Sequence, residues 1–413
     1  MIGLAFSGGG VSAAIAAACT CNSLAEKFPS LLLERNLTVS TVSGGSIGYA
    51  LWANSDNSFL YPPSSMSATL EEIMLGGIWG GRTKEASRAF GDDAPNTECR
   101  LPVGKFVGEL RQSMLRLAFN RKSFGNETGT HWWQSIVEQI FHTACIENIT
   151  VGDLAWKTSY ALLDGHASPT RGDNGALTSD SANNLDHVVV EISDEKIRVE
   201  QALAHSTSFW AAPILTLNPV VRRLFGNLVH IDQNNSKVLD GGVVDTTGVV
   251  TLLGQQSSTI LAFYNNNAPL SKLGAPIAYL FGVDAPTDSM NSLLGPKFSQ
   301  VFPSNLYGDF ISNLSDWDIG IAHLNNVEVL KNEKLGIEPY RLKSLVMFSN
   351  IKLKRFRFED PMIAGHLSTS WPDDHMLFPS EIETGALCAY NGWKVTALIE
   401  DRGSSDFWSS NFE

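Results

Sequence analysis

The chain has 413 residues, 43% of them hydrophobic and 18% charged, enough apolar material for a large core and no bias toward disorder, collagen or coiled coil. Its formal net charge of -13 argues against a nucleic-acid partner, because phosphate backbones are held by clustered Lys and Arg. Five cysteines, Cys19, Cys21, Cys99, Cys145 and Cys388, stand in no metal-ligand or redox spacing, so neither a disulfide framework nor a zinc site is indicated.

Ile2 to Phe6 is a short apolar run that ends at Ser7-Gly8-Gly9-Gly10, and Val11 to Phe28 then reads as an Ala-rich helix. No basic leader with an apolar h-region precedes this unit. Leu37 to Val42 is rich in β-branched residues and breaks at Ser43-Gly44-Gly45, after which Ser46 to Ala53 can be helical. Strand, glycine turn and helix therefore occur twice, as a parallel α/β sheet requires.

From about Asn54 to Asp186 this rhythm is lost. Helical stretches near Leu70 to Met74, Val103 to Ala118 and Trp132 to Ile146 predict an inserted, largely helical cap over 54–186, and the polar stretch Ala167 to Asn184 reads as a surface loop. Strand-like runs return at His187 to Ile192, Lys237 to Leu239, Ser258 to Tyr264 and Leu342 to Phe348, and Ala386 to Ile399 is the last strong helix. No linker or repeat divides the chain. The expected fold is a single α/β domain over 1–413, a doubly wound and mostly parallel sheet carrying the cap. With no apolar run of roughly 18 residues or more, membrane contact is expected to be peripheral and the protein cytoplasmic.

Gly44-Gly45-Ser46-Ile47-Gly48 matches the G-x-S-x-G nucleophile elbow, in which Gly44 and Gly48 let a strand turn sharply into a helix and lift a serine hydroxyl above the sheet. Ser46 is the candidate nucleophile, and Ser43 reads as a helix cap. The turn Ser7-Gly8-Gly9-Gly10 leaves backbone N–H groups at the start of a helix, where the helix dipole adds positive potential. It could hold a phosphate or the oxyanion of ester cleavage, and without a phosphate-loop lysine the oxyanion is favoured. Val238-Leu239-Asp240-Gly241-Gly242 is an apolar strand ending in a carboxylate that can reach the crevice at the strands' carboxyl ends, or simply form an Asp-Gly turn.

Together these three segments resemble the patatin-like phospholipases and their relatives, the cytosolic phospholipases A2. The resemblance covers about residues 1–265 and includes Leu203 to Pro213, similar to an Ala/Ser-rich block that ends in proline. It implies a lipid acyl hydrolase of phospholipase A or lysophospholipase type with a Ser46-Asp240 dyad and an oxyanion hole at Gly8, Gly9 and Gly10. It also implies an acyl lipid, phospholipid foremost, as substrate and no cofactor or metal. Two positions depart from the family pattern. Ser12 stands where an Arg or Lys is usual, which leaves neutral acyl esters open beside phospholipid, and Asp245-Thr246-Thr247-Gly248 replaces an Asn-x-Pro segment.

In the expected mechanism Asp240 takes the Ser46 proton, the N–H groups of Gly9, Gly10 and Ile47 hold the oxyanion, and water releases the acyl group. A transacylase on the same dyad and a non-catalytic lipid-binding protein are the alternatives. A Ser-His-Asp triad could draw on His323, His366 or His375, but too few strands precede the elbow for that fold. Trp132-Trp133 is the pair to test for lipid contact.

Overall fold

The computed structural model describes residues 2–28, 37–54, 137, 156–163, 189–191, 203, 237–243, 245–264, 277–284, 297–315, 320–349, 390–391 and 395. In chain order these form β1 (Ile2–Phe6), α1 (Gly10–Lys27), β2 (Leu37–Thr41), α2 (Gly44–Asn54), β3 (Trp156–Leu163), β4 (Val189–Glu191), β5 (Lys237–Asp240), α3 (Val249–Gly254), β6 (Thr259–Tyr264), α4 (Tyr307–Ser315), β7 (Ile321–Val329) and β8 (Tyr340–Ser349).

The strands form one sheet in the order β4-β3-β2-β1-β6-β8-β7, with β5 also paired to β3. Five of them, β3, β2, β1, β6 and β8, make a continuous parallel run. The antiparallel pairs lie outside it: β4 and β5 on β3, and β7 on β8. Strands covered on both faces read as unbroken apolar runs. Accordingly every residue of β6 is buried, and Leu4, Ala5 and Phe6 of β1 are wholly inaccessible.

Each face of the sheet carries its own core. On one face Phe6, Phe263 and Phe348, which are in register on β1, β6 and β8, stack at centroid separations of 5.4 and 5.2 Å, and Tyr49 of α2 joins Phe6 at 6.1 Å. On the other, Ala5, Ile260, Ala262 and Met347 pack with Val249, Val250, Leu252 and Leu253 of α3 and with Phe310 and Leu314 of α4. Helices thus lie against both faces of a mixed, mostly parallel sheet, the α/β class expected from the sequence.

Helix α1 is buried all round from Ala13 to Cys19, which suits a helix made of alanine rather than one with a polar face. It packs backbone to backbone against α2. A methyl group on Gly44 would collide with the Gly10 carbonyl, and one on Gly48 with the Ala14 carbonyl. The pairs Gly10/Ala14 and Gly44/Gly48 are each one helical turn apart, so the two small-residue stripes meet along their length.

Two expectations need correction. Strand β3 lies inside the segment 54–186 expected as a helical cap, so part of that segment belongs to the sheet. Apart from residues 54, 137 and 156–163, the expected cap, with the loop at 167–184 and Trp132-Trp133, lies outside the described residues. Cys19 is disulfide-bonded, although the cysteine spacing gave no sign of a bridge. Pairing between distant segments is not encoded in local spacing. Cys21 is a free thiol whose burial pushes its pKa well above the usual value, the setting of a structural rather than a reactive cysteine.

Candidate active site

The carboxyl ends of adjacent parallel strands β1 and β2 carry the two glycine-rich turns. After β1, Ser7 donates its N–H to the Phe263 carbonyl at 3.1 Å and Gly8 donates to the Thr246 carbonyl at 2.8 Å. Gly9 then adopts φ 142° and Gly10 φ 67°, conformations open to glycine and strained for any residue with a Cβ. Ser12 in the first turn of α1 donates its hydroxyl to the Gly9 carbonyl at 3.0 Å and is buried. Ser12 thus braces the glycine turn.

After β2, Val42 donates to the Phe6 carbonyl at 3.1 Å, which ties the second turn to the end of the first strand. Ser43 follows at φ 49°. A left-handed conformation costs a residue with a side chain about 1–2 kcal/mol, and here it is held from both sides: Gly45 donates to the Val42 carbonyl and Ser46 to the Ser43 carbonyl, each at 3.0 Å. A capping serine has β-region backbone angles, so Ser43 is not the conventional cap that the sequence indicates.

Ser46 lies within the first turn of α2 and is wholly inaccessible. Its hydroxyl accepts a hydrogen bond from the Thr41 hydroxyl at 2.9 Å. Gly45 beside it is pressed on the end of β1, since a Cβ there would lie 2.5 Å from the Ser7 carbonyl oxygen.

Asp240 closes β5, whose backbone pairs Asp240 with Tyr160 of β3. Thr41, the last residue of β2, pairs with Thr158 of the same strand. Asp240 therefore arrives two residues beyond the end of β2 along β3. The chain then folds tightly back: Asp245 donates its N–H to the Gly241 carbonyl at 3.0 Å, and the Thr246 hydroxyl donates to the Gly242 carbonyl at 2.9 Å.

Gly8 is where the three segments converge. A Cβ on it would lie 3.2 Å from the Cβ of Ser43, 3.6 Å from a methyl of Val42 and 3.6 Å from the methyl of Thr246. With its N–H committed to Thr246, the donors left in this turn are Gly9 and Gly10, which have no acceptor among the described residues. Both open toward the amino end of α1, which adds positive potential.

The segment that replaces Asn-x-Pro has a clear structural role that sequence reasoning missed. The buried Asp245 carboxylate accepts from the Thr247 N–H at 2.8 Å, the Thr247 hydroxyl at 2.5 Å and the Val250 N–H at 2.7 Å. It caps α3 and fixes the loop that carries Thr246 to Gly8. Burial pushes the Asp245 pKa up, while hydrogen bonds to Thr247, Val250 and Gly248 pull it down without cancelling that rise.

His323 lies on β7, in register with Val346, Leu261, Leu4 and Val39 in turn. Four strand spacings, roughly 19 Å, separate its backbone from β2, so it does not reach the elbow. His366 and His375 lie outside the described residues. Among the described residues, no group of three or more His, Cys, Asp or Glu converges as a metal site, and no helix is long and apolar enough to cross a membrane.

No family model matches the chain, and no curated protein matches it. Among solved structures it is similar to human GIVD cytosolic phospholipase A2, with 10% sequence identity and a TM-score of 0.46 over 97% of this chain and 62% of that one. The chain thus spans less than two thirds of that protein's length.

Proposed function

We propose that this chain is a serine acyl hydrolase of the patatin-like kind, cleaving acyl esters of lipids. The observation that carries the reading is the convergence at Gly8 of three segments distant in sequence: the glycine turn after β1, the serine elbow after β2, and the loop that follows Asp240. Each supplies one part of acyl transfer. The elbow brings the nucleophilic hydroxyl, Asp240 the base, and the Gly9 and Gly10 N–H groups the donors for the oxyanion.

In this reading the carboxylate of Asp240 removes the serine proton as the oxygen attacks the acyl carbon. The tetrahedral intermediate collapses, the alcohol leaves with that proton, and water hydrolyses the acyl-enzyme. A carboxylate is a weak base for a hydroxyl, so the pair needs a dry setting, and the burial of Ser7, Gly8, Val42 and Ser43 supports one. Ser12 presents no cation beside the glycine turn, which supports an acyl ester whose recognition does not depend on a phosphate headgroup. A peripheral encounter with lipid, cytoplasmic location and chemistry without metal or cofactor belong to the same proposal.

Labelling with a fluorescent fluorophosphonate, followed by fatty-acid release from phosphatidylcholine, lysophosphatidylcholine and monoacylglycerol, tests it. Wild type should take the label and hydrolyse monoacylglycerol at least as fast as the phospholipids. Asp240→Asn should lose both activities while keeping its denaturation midpoint. A folded wild type that neither labels nor releases fatty acid from any of the three sinks the proposal.

A further inference from the structure

The elbow offers two serines three residues apart, and the geometry around them is not equivalent. We infer that Ser43, not Ser46, is the attacking nucleophile of the acyl transfer proposed above, an inference that rests on that reading.

Ser43 has the strained backbone that a nucleophile at a strand-to-helix turn requires. Its φ of 49° is shared among the described non-glycine residues only by Gln256 and Asn326, and those two are exposed. Ser43 instead sits on the buried junction between the last residue of β2 and the first of α2. A left-handed residue there reverses the chain in one step and projects its side chain away from the helix that follows. Ser46 has the opposite setting. It is an ordinary helical residue with no exposed surface, and its hydroxyl is engaged by Thr41 behind the turn at 2.9 Å.

The backbone segments that would supply oxyanion donors also meet beside Ser43. An elbow nucleophile uses the N–H of the residue that follows it together with donors from a second loop. The residue after Ser43 is Gly44, and a Cβ on Gly44 would lie 3.1 Å from the Gly10 nitrogen. The N–H groups of Gly44 and Gly10 therefore start two adjacent helices at one place, and Gly8 brings the same turn to the Cβ of Ser43 at 3.2 Å from a side chain it does not have. The close approach of α1 to α2 makes this juxtaposition, which is why Gly44 and Gly48 are glycines whichever serine attacks. Asp240 ends β5 two residues along β3 past the Thr41–Thr158 pair, beyond the end of the strand that leads into Ser43.

The step balances without a further reactant. The Ser43 O–H bond breaks and its proton passes to Asp240. Oγ bonds to the acyl carbon, the ester C–O bond breaks, and the alcohol leaves with the proton. Water then attacks the acyl carbon, the carboxylic acid departs, and Oγ recovers a proton. With a fluorophosphonate the same oxygen displaces fluoride and retains the phosphonyl group.

The test is to label wild type, Ser43→Ala and Ser46→Ala with fluorophosphonate and to locate the adduct by fragmentation of the labelled peptide. The adduct should lie on Ser43. Ser43→Ala should label at least about a hundredfold more slowly, whereas Ser46→Ala should stay within about fivefold of wild type, with both variants checked by their denaturation curves. Should Ser43→Ala not fold, Ser43→Cys and Ser46→Cys give the same answer with iodoacetamide: the thiol at 43 should react in the folded protein, and the one at 46 should react only on unfolding. An adduct on Ser46, or full labelling of Ser43→Ala, overturns the assignment and leaves the hydrolase reading intact. A folded wild type that takes no label overturns both.

Discussion

Ser46 donates its backbone N–H to the carbonyl of Ser43 at 3.0 Å, and its side-chain oxygen accepts from Thr41 at 2.9 Å. The first bond closes the turn on the strained residue, and the second fastens the first turn of α2 to Thr41, the last residue of β2. The bond that reaches Ser43 comes from the backbone of Ser46 and survives a change of its side chain, whereas the hydroxyl serves the contact between α2 and β2. Removing its hydroxyl takes an acceptor from a buried donor, which costs about 1–3 kcal/mol. Ser46→Ala should accordingly lower the urea midpoint by that equivalent, and Ser46→Thr, which restores an oxygen, should recover part of it. An unchanged midpoint in Ser46→Ala would show that the Thr41 bond does not support the turn.

Gly48 separates helix packing from elbow chemistry. A Cβ there meets the Ala14 carbonyl, a backbone atom that cannot move aside alone, so α1 and α2 must part. Overpacking of this kind costs about 1–3 kcal/mol, and here it shifts the whole helix that starts at the Gly9-Gly10 turn. Gly48→Ala should therefore lose both stability and labelling. Gly254→Ala, with nothing within 4 Å of its added Cβ, is the control and should leave both unchanged. Gly48→Ala with a wild-type urea midpoint would contradict the close helix contact.

How much of this was legible in the sequence depends on which residues had to carry the signal. β1, β2, β6 and β8 were readable because strands covered on both faces need continuous apolar or β-branched runs. β7 was not, because its Asn325-Asn326 pair is exposed on an edge strand and reads as a turn, with Asn326 at φ 51°. The order of the glycine turn, serine elbow and Asp240 could be read as a candidate site, since glycine clusters after strands have few other uses. The roles of the glycines within the elbow could not: Gly44 and Gly48 fit a motif centred on Ser46, yet they make room for the backbone of α1. A left-handed serine leaves no trace in composition, because only glycine and asparagine advertise that conformation. The function of Asp245 was hidden for a related reason, since its partners Thr247 and Val250 become donors only once α3 begins beside them.

The glycine turn makes a prediction that is kinetic more than thermodynamic. Gly9, at φ 142° and ψ 31°, occupies a region that an L-residue enters only under strain, and its N–H is one of the proposed oxyanion donors. Gly9→Ala should turn that N–H away from the site. Loss of one such donor lowers acyl transfer by about 10²–10³-fold, so fluorophosphonate labelling should slow by that order while KM for a soluble ester changes little. A Gly9→Ala enzyme with an altered KM and unchanged kcat would assign the turn to ground-state binding instead.

Asp245 sets a pH dependence whose sign follows from its burial. Its carboxyl is pushed above the ordinary value of 3.8, with desolvation the largest cause and the hydrogen bonds from Thr247 and Val250 opposing it. The folded state therefore binds this proton more tightly than the unfolded chain does. Stability from the group is fully present below the unfolded pKa and is lost as pH rises through the higher folded value. Asp245→Asn cannot titrate, and it replaces one carboxylate oxygen by an amide that cannot accept from a backbone N–H, so the variant should be less stable throughout. The deficit should be largest at the acid end and shrink as the wild type gives up its own advantage. Urea denaturation of both proteins between about pH 3 and pH 7 reads this directly as the gap between their unfolding free energies. A gap that widens with pH would mean that the hydrogen bonds outweigh desolvation, and that Asp245 is an ordinary stabilised carboxylate holding the loop between Asp240 and α3 in place.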